Sequence, residues 1–199
     1  HHERALALDP DLASSFRALL RLYAATSEHH KLVELYQRAL DSVDDARRIE
    51  YLFEIGDLYR GPLEDPESAE VAYQRILAID PEHLGAVRAL QAAAEQGARW
   101  RKLVEALELE AKMVSERADI VALHYRAGSV LKDQLDARNE AVAAFKRVLE
   151  LDPRHKQTLA SLGRIHHAEG HWVDLVEVYR QELDVCEPAS KVALLHKMG

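Results

Sequence analysis

The decapeptide AYQRILAIDP at Ala72–Pro81 returns as AFKRVLELDP at Ala144–Pro153, and this recurrence restricts the chain to architectures built from one repeated unit. Five of the ten positions are identical, and the changes at apolar places exchange side chains of similar size. A partial copy, ERALALDP, occupies Glu3–Pro10, so successive copies lie 71 and 72 residues apart. Each copy carries apolar residues at helical spacing and then Asp-Pro, which cannot continue a helix and prepares the start of the next.

Repetition also decides how the length is read. A chain of 199 residues with 48% hydrophobic content would ordinarily suggest one or two domains. In a stack of repeats each unit buries its core against its neighbours, so residues 1–199 read as a single elongated domain. A net charge of −8 speaks against a duplex nucleic-acid partner, whose affinity comes from Lys and Arg releasing condensed counterions. The single cysteine, Cys186, excludes an internal disulfide and a cysteine-rich metal site; it suits the cytoplasm and is compatible with the periplasm. No apolar run approaches the roughly 18 residues of a membrane span, so no membrane insertion is expected. The start shows no signal-peptide pattern, and Glu3 enters partway through a repeat. The expectation is a piece of a longer chain, with His1 and His2 either native or a tag remnant.

Taken in order, Asp11–Thr26 places Leu12, Phe16, Leu19, Leu22 and Tyr23 on one helical face, and Lys31–Val43 repeats the pattern with Leu32, Leu35, Tyr36, Ala39 and Leu40. The link between them is short enough to require an antiparallel hairpin. Asp45–Tyr59 pairs with a helix opening at Pro66, and Glu82–Gln96 pairs with Arg99–Val114, with Gly97 as the expected stop. Glu116–Asp133 pairs with Asn139–Leu151, and the fifth hairpin, His155–Cys186, turns at Gly170. A last helix begins at Pro188. No segment alternates as a strand, so the fold class is all-α.

Superimposing the hairpins gives a small-residue slot at Leu20, Gly56, Gln91, Gly128, Gly163 and Gly199, spaced by 36, 35, 37, 35 and 36 residues. The large first-helix slot holds Phe16, Leu52, Val87, His124, Leu159 and Leu195, and the place before the small residue holds Leu19, Ile55, Leu90, Ala127, Leu162 and Met198. Ala69 with Tyr73, and Ala141 with Phe145, keep an A-x3-F spacing in the second helix. A hairpin of about 34 residues with these features resembles the tetratricopeptide repeat. The resemblance implies a right-handed α-solenoid of antiparallel helix pairs, with hairpins at about 11–43, 45–79, 82–114, 116–151 and 154–186 and half-units at 1–10 and 188–199. It departs from the family in the odd hairpins, which lack the closing proline and carry Leu20 and Gln91 where glycine is usual. The true unit is then a double repeat of about 71 residues.

Features that would support chemistry are weak. His167 and His171 have the i, i+4 spacing of a zinc pair, but Gly170 intervenes at the expected helix end and His166 takes the slot that Tyr23 fills in the first hairpin. His166, His167 and His171, like His29, His30 and His124, therefore read as packing or surface residues, with no metal and no cofactor expected. Among 34 carboxylates no pair is singled out, no serine stands in a nucleophile turn, and the glycines do not cluster into a phosphate cradle. No catalytic residue is assigned and the chain is not read as an enzyme. Trp100 and Trp172 recur 72 residues apart and read as packing residues.

In proteins that this sequence resembles, the first helix of each hairpin lines the concave side. Here its outward positions would be Arg17, Arg21, Phe53, Asp57, Arg60, Arg88, Tyr125, Ser129, Lys132, Arg164 and His167, where cations outnumber acids in an acidic chain. Arg17, Arg21, Arg60, Arg88, Lys132, Arg164 and His167 would attract an acidic peptide or protein segment, with Phe53 and Tyr125 as apolar anchors. The opposing expectation is that the arginines pair with neighbouring acids. The function expected is a non-catalytic protein-interaction scaffold. The alternatives are a structural module that self-associates through its solenoid ends, or the recognition arm of a larger enzyme. The Lys/Asn/Arg carboxylate clamp of some family members does not carry over, because the one asparagine, Asn139, falls in a turn.

Overall fold

The computed structural model describes residues 13–185. The partial repeat at Glu3–Pro10, His1, His2, Leu12, Cys186 and the C-terminal half-unit with Leu195, Met198 and Gly199 lie outside the described residues. Ten α-helices follow one another: α1 Ala13–Ala25, α2 His29–Ala39, α3 Asp45–Arg60, α4 Pro66–Ile79, α5 Leu84–Gln96, α6 Trp100–Met113, α7 Arg117–Asp133, α8 Arg138–Leu151, α9 Lys156–Glu169 and α10 Trp172–Val185. A single 3₁₀ turn, Leu40–Ser42, extends α2, and no strand occurs among the described residues. The chain is all-α and built from helix hairpins, as its periodicity predicts.

Local chemistry explains the boundaries. The carboxylates of Asp44 and Asp65 accept from the backbone N–H groups of Arg47 at 2.9 Å and Ser68 at 3.0 Å, and Pro66 opens α4 without wasting a donor. The Asp-Pro pairs at 80–81 and 152–153 are turns: Asp80 and Asp152 Oδ1 accept from Glu82 and Arg154 N–H at 3.1 Å, and the His83 and His155 N–H groups donate back to the Asp carbonyls. His83 and His155 then cap α5 and α9, their Nδ1 accepting from Ala86 and Thr158 N–H at 3.3 Å.

Every hairpin turn contains one left-handed residue: Ser27, Glu64, Ala98, Asp136 and Gly170, with φ between 47° and 70°. Gly97 is the C-cap at which α5 stops, as expected, with φ −81°, and the left-handed conformation of this turn falls on its neighbour Ala98. Space at 97 is also tight. A Cβ there would lie 3.2 Å from Pro66 Cγ.

The described residues form two compact units, divided within α6 between Ala106 and Leu107. In the first, α1 packs on α2, α2 on α3, α3 on α4 and α4 on α5. Phe16, Leu19, Tyr23, Leu32, Leu35 and Ala39 form one cluster of its core, and Leu52, Ile55, Tyr73, Ile76, Ala86 and Leu90 belong to a second. In the second unit α7 packs on α8, α8 on α9 and α9 on α10, burying Leu131, Phe145, Val148, Leu159 and Leu162. Gly56 and Gly128 sit beneath aromatic rings, so that an added Cβ would lie within 3 Å of Tyr73 or Phe145. The helices approach this closely only because those positions lack a side chain.

Candidate interaction surface

The first helix of each double repeat's second hairpin carries the same half-exposed aromatic platform. In the first unit Phe53 of α3 lies 5.9 Å from the Tyr73 ring and 5.2 Å from the His83 ring, centroid to centroid. In the second, Tyr125 of α7 lies 5.8 Å from Phe145 and 5.1 Å from His155. Phe53 and Tyr125 are thus held between a core ring and the histidine that caps the next helix, with one side left to solvent. The periodicity singles out Phe53 and Tyr125 but not His83 and His155. Their signal is the fixed offset from Asp-Pro, two residues after each proline.

The expected cations divide between the units and differ in their engagement. Arg17, Arg21 and Arg88 are exposed in the first unit, and Arg164 and His167 in the second. Arg60 Nη2 donates to Asp57 Oδ1 at 3.3 Å, and the same carboxylate oxygen accepts from the Tyr73 hydroxyl at 2.8 Å. Lys132 pairs with Asp133 at 3.1 Å. Burial, reinforced by the bond to Asp57, pushes the Tyr73 phenol up to about 12, and the Tyr73 hydroxyl beside Arg60 holds its guanidinium above its usual range.

Two hollows adjoin expected residues. One of about 610 Å³ in the first unit is lined by Phe16, Arg17, Tyr36, Arg47, Glu50 and Tyr51 among others. Its three rings stand 5.2–6.1 Å apart, and burial pushes the Tyr36 phenol up to about 12. The other, about 600 Å³ in the second unit, is lined by Gly163, Arg164, His167, Tyr179 and Glu182.

At the α9–α10 turn the histidines are placed differently from their i, i+4 spacing. His167 is exposed and its ring stands nearly perpendicular to that of Trp172, centroids 5.7 Å apart, while Trp172 itself is 60% exposed. The expectation that Trp172 packs is corrected: the turn carries its ring outward, whereas Trp100 is half-buried. His166 is buried and comes together with Glu169 and His171, each offering a donor atom within 4.8 Å of the others. Burial lowers the affinity of the His166 ring for a proton. No helix among the described residues is long and apolar enough to cross a membrane.

A tetratricopeptide-repeat family model matches residues 49–83 and 121–155, and a second model of the same description matches 158–193. No curated protein sequence matches the chain. A solved structure of MamA is 19% identical, covering 90% of this chain and 94% of that one, with a TM-score of 0.50. MamA from Desulfovibrio magneticus RS-1 is 15% identical over 88% of this chain and 95% of that one, with a TM-score of 0.48. YrrB, described as a TPR protein with an unusual peptide-binding site, is 17% identical over 98% of this chain and 96% of that one, at a TM-score of 0.47. At 19% identity, the first of these speaks to the fold alone.

Proposed function

Because the chain belongs to the tetratricopeptide-repeat family, with matched repeats over more than half its length, we propose that it is a non-catalytic scaffold that binds an acidic peptide or protein segment on its first-helix faces. The observation that carries this reading is the duplicated platform, Phe53 on His83 and Tyr125 on His155. A ring fixed on one side and open on the other loses little rotamer freedom on meeting an apolar side chain. Exposed arginines on the same class of helix, Arg17, Arg88 and Arg164, supply planar donors for carboxylates. Arg60 and Lys132 lie on the equivalent helices of the intervening hairpins, beside Asp57 and Asp133.

The test is titration of Asp- and Glu-rich peptides that include one large apolar residue, at low and high salt. The reading expects affinity to fall with salt, and to fall at least tenfold when Arg17, Arg88 and Arg164 are together changed to alanine. Affinity unchanged by those substitutions overturns it. A second reading, self-association, draws on the exposed apolar pair Trp172 and Val173, 60% and 86% exposed at the start of α10. Light scattering across concentration separates the two, because a strict monomer excludes the second.

A further inference from the structure

The turn between the two helices of an odd-numbered hairpin is built three times, and only the third copy carries a metal-ligand side chain at all three of the positions it brings together. In each, the residue three places after the small-residue slot, namely Tyr23, Ala94 or His166, accepts a backbone bond through its carbonyl. The donors are the N–H groups of Glu28, Arg99 and His171, at 2.9, 2.8 and 2.9 Å. The left-handed residues Ser27, Ala98 and Gly170 precede those donors by one. The backbone is the same, so the turn itself asks nothing of the side chains.

The residues at the three donor positions are nevertheless very different. The first copy has Tyr23, Thr26 and Glu28, and its Thr26 hydroxyl satisfies the Glu28 carboxylate at 3.0 Å. The second has Ala94, Gly97 and Arg99. The third has His166, Glu169 and His171, with His171 Nδ1 3.3 Å from Glu169 Oε2. His166 is 5% exposed, in a place where the other copies bury a tyrosine at 6% and an alanine at 0%. Its Nδ1 is buried and makes no hydrogen bond. A buried imidazole nitrogen without a partner is unfavourable where an apolar side chain would serve, and repeat geometry does not account for it.

We propose that His166, Glu169 and His171 form a three-ligand site for a divalent transition metal of the zinc type, with the fourth position open to water or to a donor from a bound partner. Two imidazoles and one carboxylate are a donor set that zinc accepts at about 2.0–2.2 Å, which places ligand atoms about 3.3 Å apart in a tetrahedron. The donor atoms already stand within 4.8 Å of one another. Closing the remainder falls to Glu169 and His171, whose side chains are 20% and 52% exposed and free to rotate about χ angles. The left-handed Gly170 makes this possible by reversing the chain between the ligands. His167, engaged with Trp172, is not part of the site.

The experiment is Zn²⁺ titration of the full chain against a chromophoric chelator, repeated with Co²⁺ as a spectroscopic probe. Expected are one equivalent bound per chain, the absorption of four-coordinate Co²⁺, and at least a tenfold weakening in both His171→Ala and Glu169→Gln. Both of these change partly exposed side chains and leave the core intact. His167→Ala should bind as the parent does, and so should a chain with His29 and His30 changed to alanine. Binding that survives His171→Ala, or follows His167 or the other histidines, overturns the proposal. So does the absence of a stoichiometric site in a parent chain whose circular dichroism is helical.

Discussion

The hairpins α3–α4 and α7–α8 are the same design executed with different chemistry. Both place a glycine, Gly56 or Gly128, under the ring of the second helix, Tyr73 or Phe145, and both rings are fully buried. They part at the ring's tip. Tyr73 donates to Asp57 at 2.8 Å, whereas Phe145 has no hydroxyl and the corresponding Ser129 turns its own hydroxyl to the Tyr125 carbonyl at 2.9 Å. A second divergence lies one residue after the alanine that the two hairpins share, Ala69 or Ala141, where the first buries Glu70 and the second half-buries Val142. Glu70 is 1% exposed, 3.4 Å from Arg99 Nε, and burial raises its affinity for a proton. The packing slot is therefore common to the two hairpins and the polar network belongs to one, so shape and charge are separable in this repeat.

The largest expected effect breaks the shared part. Gly56→Ala and Gly128→Ala should each cost about 3 kcal/mol in urea unfolding, because the added methyl meets a ring that has no room to withdraw. If either substitution is neutral, the glycine does not set the helix approach.

Next comes alkaline titration, which sharpens the part that differs. The folded pKa of Tyr73 is pushed up to about 12, above the ordinary tyrosine value, so the folded chain holds the proton that the unfolded chain loses first. Its contribution is fully present below about pH 10 and lost as pH rises toward 12, on the order of 2 kcal/mol. Unfolding followed against pH should show this loss, reduced in Tyr73→Phe. Tyr36, also raised to about 12, supplies the remainder. An identical pH profile for Tyr73→Phe would mean that the phenol is not what titrates.

A smaller effect comes from exchanging the chemistry between hairpins. Phe145→Tyr should destabilise by about 1–2 kcal/mol, since its hydroxyl would be buried without the carboxylate that Tyr73 enjoys. Adding Ser129→Asp should recover about half of that. A lack of recovery would show that the two hairpins differ in backbone as well as in side chains.

The smallest effect tests a third glycine. An added Cβ at Gly163 would make only ordinary contact, 3.5 Å from Tyr179. Gly163→Ala should thus stabilise α9 by about 0.5 kcal/mol through helix propensity. A loss comparable with that at Gly56 would erase the distinction between crowded and open slots.

The sequence by itself determined the helices and their pairing, because the spacing of apolar residues and the Asp-Pro stops act within a few residues of chain. Leu52, Ile55 and Gly56 could be placed inward from periodicity alone, and the hairpin turns fall within a few residues of where composition puts them. Tertiary structure decided what each polar side chain does, since that depends on neighbours from other helices. It tied Arg60 to Asp57 and Tyr73, and it set Phe53 and Tyr125 on capping histidines. It turned Trp172 out to solvent, and it gathered His166, Glu169 and His171 where the linear spacing had suggested His167. Periodicity reports which face a residue occupies, and only the packed backbone fixes the distance between two side chains.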